Sequence, residues 1–232
     1  MPIKIAVIGA GSSTFSLSLV RDLCLTPNLR GSQVCLMDID TARLDGVHGL
    51  CARLQKEVGA ELALQKTTDR REALEGADFV IHTALAAGGH KRLLDGWEIG
   101  AGLGYRFGGS YHVMHDEAFW INFCQLQLME SILRDVMEIC PDAWMLLVAN
   151  PVLAGTTYLL RKYPRAKLVG LCHGTGMVHG LADALGLDRS KITYEIPGVN
   201  HFVWLTRFFY EGRDAFPLID RWIEEKAPDY WK

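Results

Sequence analysis

The sequence holds little that would mark a membrane, secreted or nucleic-acid-binding protein. Its 24 Lys and Arg face 27 Asp and Glu, a formal charge of −3, and the basic residues are scattered rather than gathered into a stripe. No basic surface for nucleic acid is therefore expected. No apolar run approaches the roughly 20 residues needed to cross a bilayer. A core-like strand begins almost at Met1, where a signal peptide would otherwise stand. These absences lead to the expectation of a cytoplasmic chain with neither membrane nor nucleic-acid partners. The six cysteines, Cys24, Cys35, Cys51, Cys124, Cys140 and Cys172, form no CxxC pair and no disulfide framework. Five of them sit among apolar neighbours and read as small buried hydrophobes. Cys172 does not. Repeats and low-complexity segments are also absent.

What is present is patterned apolar sequence. Ile3 to Ile8 reads as a buried parallel strand. Phe15, Leu19, Val20 and Leu23 recur at helical spacing. Gln33 to Asp38 reads as a second strand, and Asp40 or Thr41 can cap the next helix. The apolar stripe of that helix is Leu44, Val47, Cys51, Leu54 and Val58. Further strands are expected at Glu61–Lys66, Ala77–Thr83, Trp144–Val148 and Leu168–Leu171. A short helix is expected at Arg71–Glu75 and a long one at Glu117–Cys140. Strands alternating with helices imply a Rossmann-like α/β fold, a doubly wound parallel sheet covered on both faces. After about residue 190 the texture changes to extended aromatic sequence, Phe202 to Tyr210. The turn Glu211-Gly212-Arg213-Asp214 follows, then a helix from Pro217 to about Lys226. The expected division is a dinucleotide-binding domain over 1–190 and, over 191–232, the beginning of an α+β domain whose remainder is absent.

The stretch Gly9-Ala10-Gly11-Ser12-Ser13-Thr14 lies between the first strand and the first helix. Such a turn offers backbone N–H groups to a pyrophosphate. Gly9 permits the turn and Gly11 allows close approach. Thr14 stands where a third glycine normally permits tight helix–strand packing. Ser12, Ser13 and Thr14 add hydroxyls for phosphate oxygens. Asp38, closing the second strand, is placed to accept from ribose hydroxyls and would repel the extra phosphate of NADP. NAD is therefore the expected cofactor.

Three further pieces lie at or beyond late strand ends: Asn150-Pro151, Cys172-His173-Gly174 and Gly198-Val199-Asn200-His201. The Asn150 amide is expected to reach a sugar hydroxyl or the nicotinamide ribose. Cys172 and His201 are a thiol and an imidazole, suited to one divalent metal.

With these residues the sequence resembles glycoside hydrolase family 4, the NAD- and metal-dependent glycosidases. Gly9-Ala10-Gly11-Ser12, Met37-Asp38-Ile39-Asp40, Ala77-Asp78-Phe79-Val80, Asn150-Pro151, Cys172-His173-Gly174 and Gly198-Val199-Asn200-His201 match that pattern in order. Phe15-Ser16-Leu17 and Trp222-Ile223-Glu224-Glu225-Lys226 look like the α-glucosidase branch, which acts on unphosphorylated α-glucosides. The resemblance implies hydrolysis by redox-elimination. NAD transiently oxidises C3 of the sugar and the C2 proton becomes acidic. The glycosidic oxygen leaves C1, water adds, and C3 is reduced again.

The resemblance also implies Mn²⁺ as the metal, Cys172 and His201 as its ligands, and a homo-oligomer. It implies Asn150 as a substrate contact, His173 as a substrate contact or a support for the neighbouring metal ligand, and Asp116 as an acid near the leaving group or a helix N-terminal carboxylate. The C2 base is expected beyond Lys232. The loop after Cys172-His173-Gly174 is one residue shorter than this branch usually has. Two other readings stay open: a non-catalytic NAD-binding module, and a 2-hydroxyacid dehydrogenase. The second lacks a convincing arginine pair for a substrate carboxylate.

Overall fold

In the computed structural model the residues described are 2–86, 89–104, 119–172, 174, 176–199 and 201–230. They form two compact units, Met1–Leu171 and Cys172–Lys232.

The first unit is built on six parallel strands: β1 (Lys4–Ile8), β2 (Gln33–Met37), β3 (Ala63–Thr67), β4 (Phe79–His82), β5 (Trp144–Leu147) and β6 (Leu168–Gly170). Their order is β3-β2-β1-β4-β5-β6. This is the doubly wound arrangement expected from the sequence. β1 is central, pairing Ile5 to Val34 and Phe79, and Ile8 to Met37 and His82. Its side chains alternate between two cores. Ile5 and Val7 face a layer with Val20, Leu36, Leu44 and Cys51. Ala6 and Ile8 face a layer with Val80, Met129, Leu133 and Met145. A strand buried on both faces must be apolar almost throughout, and β1 is.

The helices of this unit are α1 (Ser13–Cys24), α2 (Thr41–Val58), α3 (Arg70–Leu74), α4 (Gly89–Gly102), α5 (Phe119–Ile139) and α6 (Val152–Lys162). Asp40 caps α2, accepting from the Arg43 N–H, and Gly59 ends the helix in the left-handed conformation. Leu44, Val47 and Cys51 bury the expected stripe, while Val58 at the last turn is exposed. Glu117, the expected start of α5, lies outside the described residues. Helices α4 and α6 carried no clear sequence signal. The buried positions of α6 are Val152, Gly155 and Leu159, and a glycine weakens the apolar stripe. Its absent side chain has a purpose: a Cβ on Gly155 would sit 2.6 Å from Met129 Sδ.

The second unit contains α7 (Gly176–Ala184), β7 (Ile192–Glu195), β8 (Gly198–Val199), β9 (Phe202–Val203), β10 (Arg207–Tyr210), β11 (Arg213–Asp214), α8 (Phe216–Glu225) and α9 (Ala227–Tyr230). An antiparallel sheet runs β11-β10-β7, and β8-β9 is a separate hairpin. Glu211 and Gly212 both have positive φ, as a two-residue hairpin turn requires. The core is small: Val178, Ala182, Ile192, Phe208 and Ala215. Because Val178 and Ala182 of α7 share this core with Ile192 and Phe208, α7 groups with the residues that follow it.

All six cysteines are free thiols. Cys35, Cys51 and Cys140 are buried as expected, while Cys24, Cys124 and Cys172 are only partly buried. Burial pushes the Cys51 thiol up to about 11, so it is not a nucleophile near neutrality. Among the described residues no helix is long and apolar enough to cross a membrane.

Candidate functional site

In the first unit the sheet order reverses between β1 and β4, so their carboxyl ends open the crevice where such folds bind ligands. The glycine turn lies at that point. Gly9 has φ +94°, and a Cβ there would overlap the Ala84 backbone. Only glycine permits both the turn and this approach. The Gly9 and Ala10 N–H groups both donate to Met37 O at 2.9 Å, tying the turn to the end of β2.

Asp38 does more than its position suggests. Its Oδ2 accepts from the Gly11 N–H at 2.7 Å, and its Oδ1 from the Asp40 N–H at 2.9 Å. A Cβ on Gly11 would lie 2.7 Å from Asp38 Oδ2. Gly11 is thus required by contact with the carboxylate itself. The carboxylate keeps acceptor capacity for ribose hydroxyls, since each oxygen has two lone pairs. Ser12 caps α1, accepting from the Phe15 N–H at 3.4 Å. Ser12, Ser13 and Thr14 are exposed, at a helix start whose first N–H groups have no intrahelical acceptor. Close contact between α1 and the turn is made by Ser16 instead of a third glycine. Its buried hydroxyl donates to Ala10 O at 2.8 Å.

The wall opposite the turn was not legible as a motif. It is the segment after β4. Thr83 Oγ1 donates to Ile8 O and Gly9 O, at 3.1 and 3.0 Å. His82 is fully buried, and its Nδ1 accepts from the Ala84 N–H at 3.3 Å. Burial lowers its pKa to about 4, against an opposing effect of the Ile8 carbonyl and with a lesser lowering by the Arg70 charge. The imidazole is therefore neutral near pH 7. Asn150 follows β5, where the Val148 and Ala149 N–H groups both donate to His82 O. The Asn150-Pro151 peptide is cis. Asp116 and His173 lie outside the described residues.

In the second unit Cys172 and His201 meet: Cys172 Sγ is 3.3 Å from His201 Nε2. His201 lies in the turn of the β8–β9 hairpin, where Gly198 pairs with Val203 and Val199 with Phe202. Its φ is +63°, a conformation that histidine tolerates better than most residues. Gly198 has φ +145°, and a Cβ there would overlap Phe202 O. The hairpin thus closes only with glycine at that place. A metal bonded to sulfur at about 2.3 Å and nitrogen at about 2.0–2.1 Å separates the two donors by roughly 3.1–3.6 Å at ordinary coordination angles. The observed spacing fits one ion held by both. Among the described residues no group of three His, Cys, Asp or Glu gathers to hold a metal.

Fold and site together define a doubly wound α/β unit with a glycine turn at its crevice, followed by a small unit bearing a thiol–imidazole pair. Residues 4–187 match the family model described as family 4 glycosyl hydrolase, and the chain belongs to that family. An α-galactosidase of Bacillus subtilis (strain 168) is 33% identical over 96% of this chain and 51% of its own length. An α-glucosidase of Erwinia rhapontici is 29% identical over 100% of this chain and 51% of its own. This chain therefore spans about half the length of these relatives. A 6-phospho-α-glucosidase from gut microorganisms, solved in complex with NAD and Mn²⁺, superposes with a TM-score of 0.82. It is 22% identical and covers 97% of this chain and 52% of its own.

Proposed function

We propose that this chain carries the cofactor-binding portion of an NAD- and divalent-metal-dependent α-glycosidase. The first unit holds NAD, and residues 172–232 open the metal- and substrate-binding portion. The observation that carries the reading is the pairing of a clasped glycine turn with the Cys172–His201 contact in one chain. Neither feature alone selects this chemistry.

The residues have separate tasks in this reading. The N–H groups at the start of α1 and the hydroxyls of Ser12, Ser13 and Thr14 bind the pyrophosphate. Asp38 accepts from the adenosine ribose and disfavours a 2′-phosphate. Cys172 as thiolate and His201 as neutral imidazole hold the metal. Mn²⁺ is the candidate ion, being the one bound in the 6-phospho-α-glucosidase complex. Asn150 and His173 contact the sugar, and Asp116 assists the leaving group. Bound NAD supplies a reversible hydride acceptor, and the metal supplies Lewis acidity toward a sugar carbonyl. A recycled cofactor gives hydrolysis with no net oxidation. The assembly is a cytoplasmic homo-oligomer.

The sugar is an α-glucoside in the reading drawn from the motifs. The 33% identity with an α-galactosidase favours an α-galactoside as the second reading. The test is titration of the chain with NAD, with and without Mn²⁺, then assay with nitrophenyl α-glucoside and α-galactoside under reducing conditions. Binding of NAD supports the reading, and any hydrolysis must stop when NAD or metal is removed. Hydrolysis undiminished after both are stripped, or no NAD binding at all, contradicts it.

A further inference from the structure

The segment 83–86 forms the wall against which the glycine turn is packed. The Thr83 N–H donates to Ile8 O at 2.9 Å, and side chains hold Ala84 and Ala86. Gln125, on α5 and 3% exposed, reaches it with both ends of its amide. Nε2 donates to Ala84 O at 2.9 Å, and Oε1 accepts from the Ala86 N–H at 2.7 Å. His82 takes the Ala84 N–H on Nδ1 at 3.3 Å. Ala84 thereby has both its N–H and its carbonyl held by buried side chains, and this is the residue in closest approach to Gly9.

The arrangement is costly. A histidine that accepts on Nδ1 carries its proton on Nε2. Here Nε2 is buried without a hydrogen-bond partner among the described residues. An apolar side chain at that place on β4, opposite Leu147 of β5, would leave no orphaned donor. A polar pair kept in an apolar layer, with both members aimed at one loop, points to a requirement on that loop.

We propose that His82 and Gln125 are positioning residues that hold residues 83–86 as a fixed wall of the crevice and so set the cofactor affinity of the glycine turn. This rests on the reading of the turn as an NAD site. They touch no substrate. They act through Ala84, whose backbone decides how far Gly9 and Gly11 can shift when a pyrophosphate arrives.

The test uses the full chain and four substitutions: His82→Leu, His82→Asn, Gln125→Leu and Gln125→Glu. Asn at 82 offers an acceptor near the place of Nδ1. Glu at 125 keeps the acceptor for Ala86 but, ionised, loses the donor to Ala84. Two quantities are read: Kd for NAD, and amide hydrogen exchange at Ala84 and Ala86 without cofactor. Leu at either site is expected to weaken NAD binding about tenfold and to speed exchange at these amides at least tenfold. His82→Asn is expected to restore both to within threefold of the wild type, and Gln125→Glu to fall between.

Unchanged exchange in both Leu variants overturns the clamp. Faster exchange with NAD affinity within twofold of the wild type overturns its link to the cofactor. If the wild-type chain binds no NAD, the reading of the turn and the proposed effect on affinity both fail, and exchange alone then judges the clamp. If the Leu variants do not fold, the His82→Asn and Gln125→Glu pair decides: equal exchange in both contradicts the proposal.

Discussion

The two units hold their functional groups by different means. In the first, the glycine turn is fixed redundantly. Met37 O, Asp38, Thr83 and Ser16 each bind its backbone, and a six-stranded sheet with a core on each face lies beneath it. In the second, the thiol–imidazole contact depends on the turn of a short hairpin whose Val199 and Phe202 are exposed. A site on a large sheet survives loss of one contact. A site on a short hairpin takes its geometry from a few backbone angles.

The largest expected effect comes from a place where redundancy does not help. Gly9→Ala places a Cβ against the Ala84 backbone at a positive φ. NAD binding should fall at least a hundredfold and stability by roughly 3 kcal/mol, as read by calorimetric titration and urea unfolding. If the variant binds NAD like the wild type, the turn is not the cofactor site.

Next is the metal pair. Cys172→Ser replaces a soft sulfur donor by a poor oxygen donor. Affinity for Co²⁺, followed by its thiolate charge-transfer band, should drop about a hundredfold, with folding unaffected. Gly198→Ala should produce a similar loss without touching either ligand, because the hairpin cannot close. Equal metal affinity in Gly198→Ala would show that the turn does not set the site.

A smaller effect is expected from His82 as acidity changes. Its folded pKa, about 4, lies below its ordinary value of 6.5 because burial disfavours the charged form. Between these values the unfolded chain binds more protons, so stability rises with pH through the window and is lost as pH falls toward 4. Urea unfolding at pH 4.5 and 7 should show this slope. It should flatten in His82→Asn. An unchanged slope would assign the dependence to other groups.

The smallest effect is expected at Glu130. It accepts from Tyr158 and, at 2.6 Å, from Tyr163, and pairs with Lys162 at 2.8 Å, joining α5 to α6. Glu130→Gln should lower Tm by a few degrees and leave NAD and Co²⁺ binding alone. A change in either would reveal coupling that a redundant scaffold should not transmit.

The sheet was legible in the sequence because buried parallel strands are nearly continuous apolar runs, and β1, β2, β4, β5 and β6 are of that kind. Helices with glycine or alanine in their buried stripe, such as α6 and α7, were not legible for the same reason in reverse. Gly9, Gly11, Asp38, Cys172 and His201 stood out because their residue types are chemically specific. His82, Thr83, Gln125 and Gly198 did not. Each acts by touching backbone far away in sequence or across a turn, and such contacts exist only once the chain is folded. From its place at the end of the second strand Asp38 is expected to accept from ribose hydroxyls, but its hold on the Gly11 N–H was not legible.

Whether one chain carries two separable sites, one for NAD and one for metal, is decided by a pair of titrations, NAD and Co²⁺, on the wild type, Gly9→Ala and Cys172→Ser. The wild type is predicted to bind both. Gly9→Ala should lose NAD and keep the Co²⁺–thiolate band, and Cys172→Ser should lose the band and keep NAD. A wild-type chain that binds neither, or variants that affect the two ligands alike while remaining folded, would contradict the assignment.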